Sequence, residues 1–263
     1  MAFETIVYEV TRGVALLTLN RPETLNSFNT LMHEEVRRAL SDARDNTEVR
    51  CLVITGTGRG FSAGQDLNDR SVKAADEVPD LGESVEKNYN PLIRNIMTLE
   101  KPVIAAVNGV AAGAGASIAL ACDIVIAAES ASFVQAFCKI GLVPDSAGTW
   151  NLPRMLGLPR AKALAMLGNK LSAEQAEQWG MIWQCVGDDE LMPETIHMAE
   201  HLANQPTLGL GMTKKLLNES FSNSLHHQLE LEKDAMRKLG QSHDYREGVA
   251  AFMEKRKPVF RGE

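Results

Sequence analysis

Short apolar runs closed by glycine or polar turns, with helix-patterned segments between them, dominate the first 150 residues. A run such as 51–55, shut off by Gly56, is too short for a helix and too apolar for a surface strand, so it reads as a buried strand. A second run at 103–107 follows Lys101-Pro102, and a third lies at 123–127. Residues 6–10 and 14–19, parted by Thr11-Arg12-Gly13, read as a hairpin. Asn29 is placed to cap a helix running to about Asn46, with Leu31, Met32, Val36, Ala39, Leu40 and Ala43 on one face. Another helix is expected over 85–99. Strands alternating with helices imply a layered α/β domain with parallel pairing.

Past Ala161 the pattern turns helical, with segments expected at 160–167, 172–179, 189–204, 207–220, 224–239 and 243–254. One short strand is expected at 182–186. The division expected is an α/β core over 1–200 and a helical region over 201–263. The polar stretch 69–84 has no clear period and is expected to be the least ordered without ligand. A formal net charge of −7 argues against nucleic-acid binding. With no secretory signal or bilayer-length apolar run, a cytoplasmic protein without a membrane partner is expected. The four Cys, at 51, 122, 138 and 185, lack metal-ligand spacing, so no metal is expected.

Three stretches carry chemistry. The first, Phe61-Ser62-Ala63-Gly64-Gln65-Asp66-Leu67, follows a strand and a glycine-rich turn and is either a surface turn or a loop presenting a main-chain N–H. In the second, Val107-Asn108-Gly109-Val110-Ala111-Ala112-Gly113-Ala114-Gly115-Ala116-Ser117, small residues lead from a strand into a helix. Such a sequence lets a ligand approach unpaired amides, or lets the elements pack tightly. It lacks the Lys of a phosphate-binding P-loop and the full GxGxxG fingerprint. The third places Asp145 among Val143, Pro144, Ser146, Ala147 and Gly148, either as a helix cap or as a partly desolvated base.

In this order and spacing the stretches resemble the crotonase superfamily, the enoyl-CoA hydratases and isomerases. Further matches are Asn20-Arg21-Pro22 with Asn26-Ser27, Cys122-Asp123-Ile124, and Leu171-Ser172-Ala173-Glu174-Gln175-Ala176 before Trp179-Gly180. The resemblance implies a crotonase-like spiral of ββα repeats with a helical C-terminal trimerisation region, working as a homotrimer or hexamer on an acyl-CoA. No cofactor is expected, coenzyme A being part of the substrate. By position, the oxyanion-hole amides fall on Gln65 and Ala114, while Ala63, Asp66, Leu67 and Gly113 line the CoA side. Well-placed oxyanion donors are worth about 3–4 kcal/mol each. Hydratases of the family carry two Glu, at positions that here are Ser117 and Phe137. Asp145 stands where isomerases keep an acid, and one carboxylate suffices to shuttle a proton along an allylic system. Other stretches, including Asp80-Leu81-Gly82 and Tyr89-Asn90-Pro91-Leu92, resemble the family's isomerases of phenylacetate breakdown.

The resemblance also suggests that residues 88–92 wall the acyl pocket. Lys255, Arg256 and Lys257 either meet CoA phosphates or form a solvated tail. A dehalogenase-like reaction would need a His near Asp145, and no His lies between His33 and His197. A non-catalytic acyl-CoA-binding scaffold is the alternative of another class.

Overall fold

The computed structural model describes residues 3–68 and 80–263. The expected hairpin is β1 (Ile6–Thr11) and β2 (Val14–Leu19), paired antiparallel. Arg12 and Gly13 between them both adopt positive φ, 52° and 80°, as a tight two-residue turn demands. The helix α1 (Thr30–Asp45) follows, capped by Asn29, whose side chain accepts from the Met32 amide at 2.9 Å. Met32, Val36, Ala39, Leu40 and Ala43 form its buried face.

The chain then turns three times through the same pattern. β3 (Cys51–Gly56) passes into β4 (Gly60–Ser62), β5 (Val103–Val107) into β6 (Val110–Ala112), and β7 (Ile124–Ala128) into β8 (Ser132–Val134). Each pair is followed by helix. After β4 come α2 (Leu81–Ser84), a π-helical turn (Val85–Tyr89) and α3 (Asn90–Thr98). After β6 comes α4 (Ala114–Leu120), and after β8 a 3₁₀ turn (Ala136–Ile140) and α5 (Gly148–Leu167). The long strands build one sheet and the short ones another. The first has the order β1-β2-β3-β5-β7-β10, parallel apart from the hairpin, with β10 being Gln184–Val186. The second has the order β4-β6-β8-β9, with β9 (Lys170–Ser172) antiparallel to β8.

The central strands are buried along their lengths, which is why they read as continuous apolar runs. Leu17, Leu52, Ile104 and Ile126 lie at the heart of the core. Of the stretch 69–84, residues 69–79 lie outside the described residues. The remainder starts a helix, with the Asp80 carboxylate accepting from the Gly82 and Glu83 amides. The helix expected at 160–167 begins earlier, at Gly148, and bends at Gly157 (φ 72°, ψ 162°). Pro153 and Pro159 are accommodated within it, and the backbone leaves helical geometry at Gly157.

The remaining helices are α6 (Ala173–Gln178), α7 (Leu191–Ala203), α8 (Thr207–Ser220), α9 (Leu225–Leu239) and α10 (His243–Glu254). Helix α7 lies against β3, β5 and β7. Lys214 of α8 reaches the Asp123 carboxylate at 2.9 Å, and Arg50 at the head of β3 donates to Gln205 O, Thr207 Oγ1 and Phe260 O. Among the described residues no helix is long and apolar enough to cross a membrane.

Candidate active site

The three stretches singled out in the sequence meet at one place. The first sits beside Phe28. The Phe28 amide donates to Gly64 O at 2.7 Å and the Asp66 amide donates to Phe28 O at 2.9 Å, forming an isolated parallel bridge between Phe28 and Gln65. In such a bridge the residue between the two bonds turns its own N–H away from the partner chain. The Gln65 amide is therefore directed off the bridge. No hydrogen bond to it is seen among the described residues.

The second stretch presents Ala114, the first residue of α4, whose N–H has no acceptor within the helix. Gly113 before it takes φ 53° and ψ −125° and offers no side-chain cap. The two loops touch through glycines. A Cβ on Gly64 (φ +86°) would stand 2.9 Å from Ala112 O and 3.0 Å from Ala114 N, and one on Gly115 would stand 2.3 Å from Ser62 O. A side chain at either glycine would hold the loops apart, so their absence lets Ala114 N approach Gly64, the residue before Gln65.

The third stretch closes on the same helix. A Cβ on Gly148 would meet Ser117 Oγ at 2.8 Å and Pro144 Cβ at 3.0 Å, so the loop bearing Asp145 packs one turn beyond Ala114. Asp145 is half-buried. Its carbonyl accepts from the Gly148 amide at 2.8 Å, and its Oδ1 accepts from Ser146 Oγ at 2.9 Å. The helix-cap reading does not hold: the cap position of α5 is Ala147, and no side chain caps it. Ser146 and Ala147 both take left-handed φ, 53° and 62°. Strained pairs of this kind persist where the surroundings over-determine the backbone, and they cluster at functional sites.

Ser117 is fully buried, and Phe137, 7 % exposed, stands 3.8 Å from the point where a Gly113 Cβ would lie. A hydroxyl and a phenyl ring thus occupy the two positions at which a hydratase would hold carboxylates. Beside the Asp145 loop lies an apolar cavity of about 480 Å³, lined by Cys138, Leu142, Val143, Pro144, Thr149 and Leu152 among others.

The residues assigned to the CoA side divide. Leu67 is 60 % exposed, and Ala63 and Gly113 are half-buried at the loop surface. The Asp66 side chain instead turns inward. Its Oδ2 pairs with Arg21 Nη2 at 2.9 Å and its Oδ1 accepts from the Asn68 amide at 3.0 Å. Asp66 therefore braces the loop with its carboxylate and leaves only its main chain to face a ligand. The partner, Arg21, also donates to Ser27 O at 2.7 Å. Its role went unread in the sequence, although it sits in the quoted Asn20-Arg21-Pro22. Of residues 88–92, Tyr89 is fully buried and so does not wall an open pocket. Arg256 is taken up by Glu247, through two bonds at 2.6 and 2.8 Å, and by Glu254 at 2.6 Å. Arg256 is thus engaged within the chain, while Lys255 and Lys257 are exposed. Among the described residues no cluster suited to a metal ion occurs.

Residues 9–263 match the family described as enoyl-CoA hydratase/isomerase. The chain is 57 % identical over 260 residues to the 1,2-epoxyphenylacetyl-CoA isomerase of Escherichia coli (strain K12), covering 99 % of each protein. It is 47 % identical over 262 residues to a Rhodobacter capsulatus protein named "Probable enoyl-CoA hydratase", covering 100 % of each. The crystal structure of a Mycobacterium abscessus protein named "putative Enoyl-CoA hydratase/isomerase" superposes with a TM-score of 0.93 at 36 % identity, covering 98 % of this chain and 100 % of that one. The chain belongs to the enoyl-CoA hydratase/isomerase family and has its crotonase fold, two sheets wound by ββα turns with helices at the C-terminal end.

Proposed function

We propose that the chain is a coenzyme A-thioester isomerase acting on ring-1,2-epoxyphenylacetyl-CoA, and that it also shifts a cis-3 double bond of an enoyl-CoA to trans-2. The substrate is carried over from the Escherichia coli relative, an identity of 57 % spanning both chains. The observation that carries the reaction type is the acid inventory of the site. Among the described residues, the loop packed against α4 brings Asp145, the Asp66 carboxylate is taken up by Arg21, and Ser117 and Phe137 stand where the resemblance implies a hydratase's pair. Adding water across a double bond calls on two groups, whereas moving a proton calls on one.

The thioester oxygen lies against the Gln65 and Ala114 amides, with the CoA arm running past Ala63, Leu67, Gly113 and the main chain of Asp66. The Asp145 carboxylate takes a proton from the carbon beside the thioester, and the electron pair moves onto the thioester oxygen. The two amides stabilise that dienolate, with help from the positive end of α4. For a cis-3-enoyl-CoA, protonated Asp145 then returns the proton to the carbon at the far end of the allylic system; for the ring epoxide, the bond between the two epoxide carbons opens by electrocyclic rearrangement to the conjugated oxepin, and the same transfer carries the side-chain α-proton to a ring carbon, leaving a double bond between ring and side chain. Substrate and product are isomers, so nothing is gained or lost.

Asp145→Asn keeps the shape and removes the base. Turnover of a cis-3-enoyl-CoA is expected to fall by about 10²–10⁴-fold, with deuterium from heavy water no longer entering the substrate. Near-normal turnover would end the proposal.

A homotrimer, or a hexamer made of two, and a cytoplasmic location belong to the same reading, as does the division into a core of 1–200 and a C-terminal region of 201–263. The outer faces of α9 and α10 support the assembly, exposing Leu225, Leu229, Met236, Val249, Phe252 and Met253. Sedimentation at micromolar concentration tests it.

A further inference from the structure

Gln65 is assigned above for its backbone amide, yet its side chain is bonded at every polar atom. Its Oε1 accepts from the Tyr89 hydroxyl at 3.0 Å, and its Nε2 donates to Phe28 O at 3.1 Å and to Asp66 O at 3.2 Å. The last two acceptors are the bridge partner of Gln65 and its own next carbonyl. The carboxamide therefore straps the peptide that carries the Gln65 N–H to the Phe28 strand on one side and to the following residue on the other.

Tyr89 is built to hold that strap. It is fully buried, its ring 4.6 Å from the His33 ring in an edge contact and 6.3 Å from Phe28. It closes the π-helical turn Val85–Tyr89, in which the Asn90 amide reaches back to Val85 O. Pro91 follows at the start of α3. Proline lacks the N–H that an α-helical turn would use there, and its ring clashes with the carbonyl four residues back, so a wider turn is the relaxed solution. The widened turn ends on Tyr89, whose hydroxyl is aimed at Gln65. A phenylalanine would supply the same bulk without this bond.

We infer that Tyr89 is a positioning residue of the oxyanion hole: its hydroxyl fixes the Gln65 carboxamide, and through it the direction of the Gln65 N–H. The inference rests on the reading under Proposed function. Releasing the strap leaves the donor present but less well aimed, a smaller loss than deleting a donor outright.

The test is a double-mutant cycle of Tyr89→Phe, which keeps the ring and its contacts, and Gln65→Leu, which keeps the backbone amide. The readouts are kcat and KM on a straight-chain cis-3-enoyl-CoA, with melting temperatures alongside. Tyr89→Phe is expected to lower kcat about tenfold with KM within about twofold, because the donor acts on the transition-state charge. Gln65→Leu is expected to show the same loss, and the double variant no further loss, since both cut one connection. A role confined to stability would lower the melting temperature of Tyr89→Phe and leave kcat alone. Turnover of Tyr89→Phe within twofold of the parent, or losses that multiply in the double variant, overturns the inference. If Tyr89→Phe does not accumulate folded, Gln65→Leu decides by the same twofold criterion. Asp145→Asn is assayed in parallel. If it is inactive while Tyr89→Phe is unaffected, only this inference falls. If it is active, the functional reading falls and takes the inference with it.

Discussion

Gly64→Ala forces apart the two loops proposed to form the oxyanion hole without removing a polar group. The added Cβ would lie 2.9 Å from Ala112 O and 3.0 Å from Ala114 N, about 0.5 and 0.4 Å inside the 3.4 Å at which ordinary contact begins. Both neighbours are main-chain atoms, so the loops must part by about that much. Alanine at φ +86° adds its own cost, about 1–2 kcal/mol for a left-handed L-residue. For a chain of this size that lowers the melting temperature by about 2–8 °C. Catalytic constellations tolerate about 0.5 Å of displacement, and losing a donor outright costs about 10²–10³ in kcat. A fall in kcat of about 10- to 100-fold is therefore expected. Gly180→Ala is the control. It has φ +73° and nothing within 4 Å of the added Cβ, so it bears the backbone cost without the clash. Kinetics on a cis-3-enoyl-CoA and thermal melts of both variants separate the effects. If Gly64→Ala melts lower but turns over within threefold of Gly180→Ala, the Gln65 and Ala114 amides do not work as a pair.

Three further outcomes are expected. Lys214→Met removes the cation from Asp123, leaving a carboxylate whose pKa burial already raises with the Val103 amide as its remaining bond. Breaking a buried pair costs about 3–5 kcal/mol, and adding Asp123→Asn should recover most of the loss in urea titrations. Among the thiols, burial pushes Cys51 up to about 12 and Cys122 higher still, so both should resist an aromatic disulfide reagent at neutral pH until the protein unfolds. Cys138 and Cys185, half-exposed, should react first. At the C-terminus, the hydrogen bonds from Arg256 and the Val259 amide hold the Glu247 carboxyl down at about 2. A depressed folded pKa contributes stability that is complete above 4.5, the ordinary value, and is lost as pH falls toward 2. The protection factor of the Val259 amide, which donates to Glu247 Oε1 at 2.7 Å, should therefore fall across that window and stay constant between pH 5 and 8.

What the sequence revealed and what it hid divide along one physical line. Long strands such as β3 and β5 are buried end to end, so each reads as an unbroken apolar run, and α1 displays its cap and its buried face in the residue pattern. The second sheet is built of three-residue strands, too short for any period to register, and the resemblance rather than the pattern pointed to it. The site divides the same way. Gly64, Gly113, Gly115 and Asp145 stand out because small residues and a lone acid in an apolar setting are unusual locally. The strap from Tyr89 to Gln65 spans 24 residues, and the brace from Arg21 to Asp66 spans 45. Neither residue type is unusual where it stands, so only the fold discloses what each one holds. The visible groups are those that would meet the substrate and the hidden ones are those that aim them. A sequence reading of such a site is therefore stronger on the type of reaction than on what sets its rate.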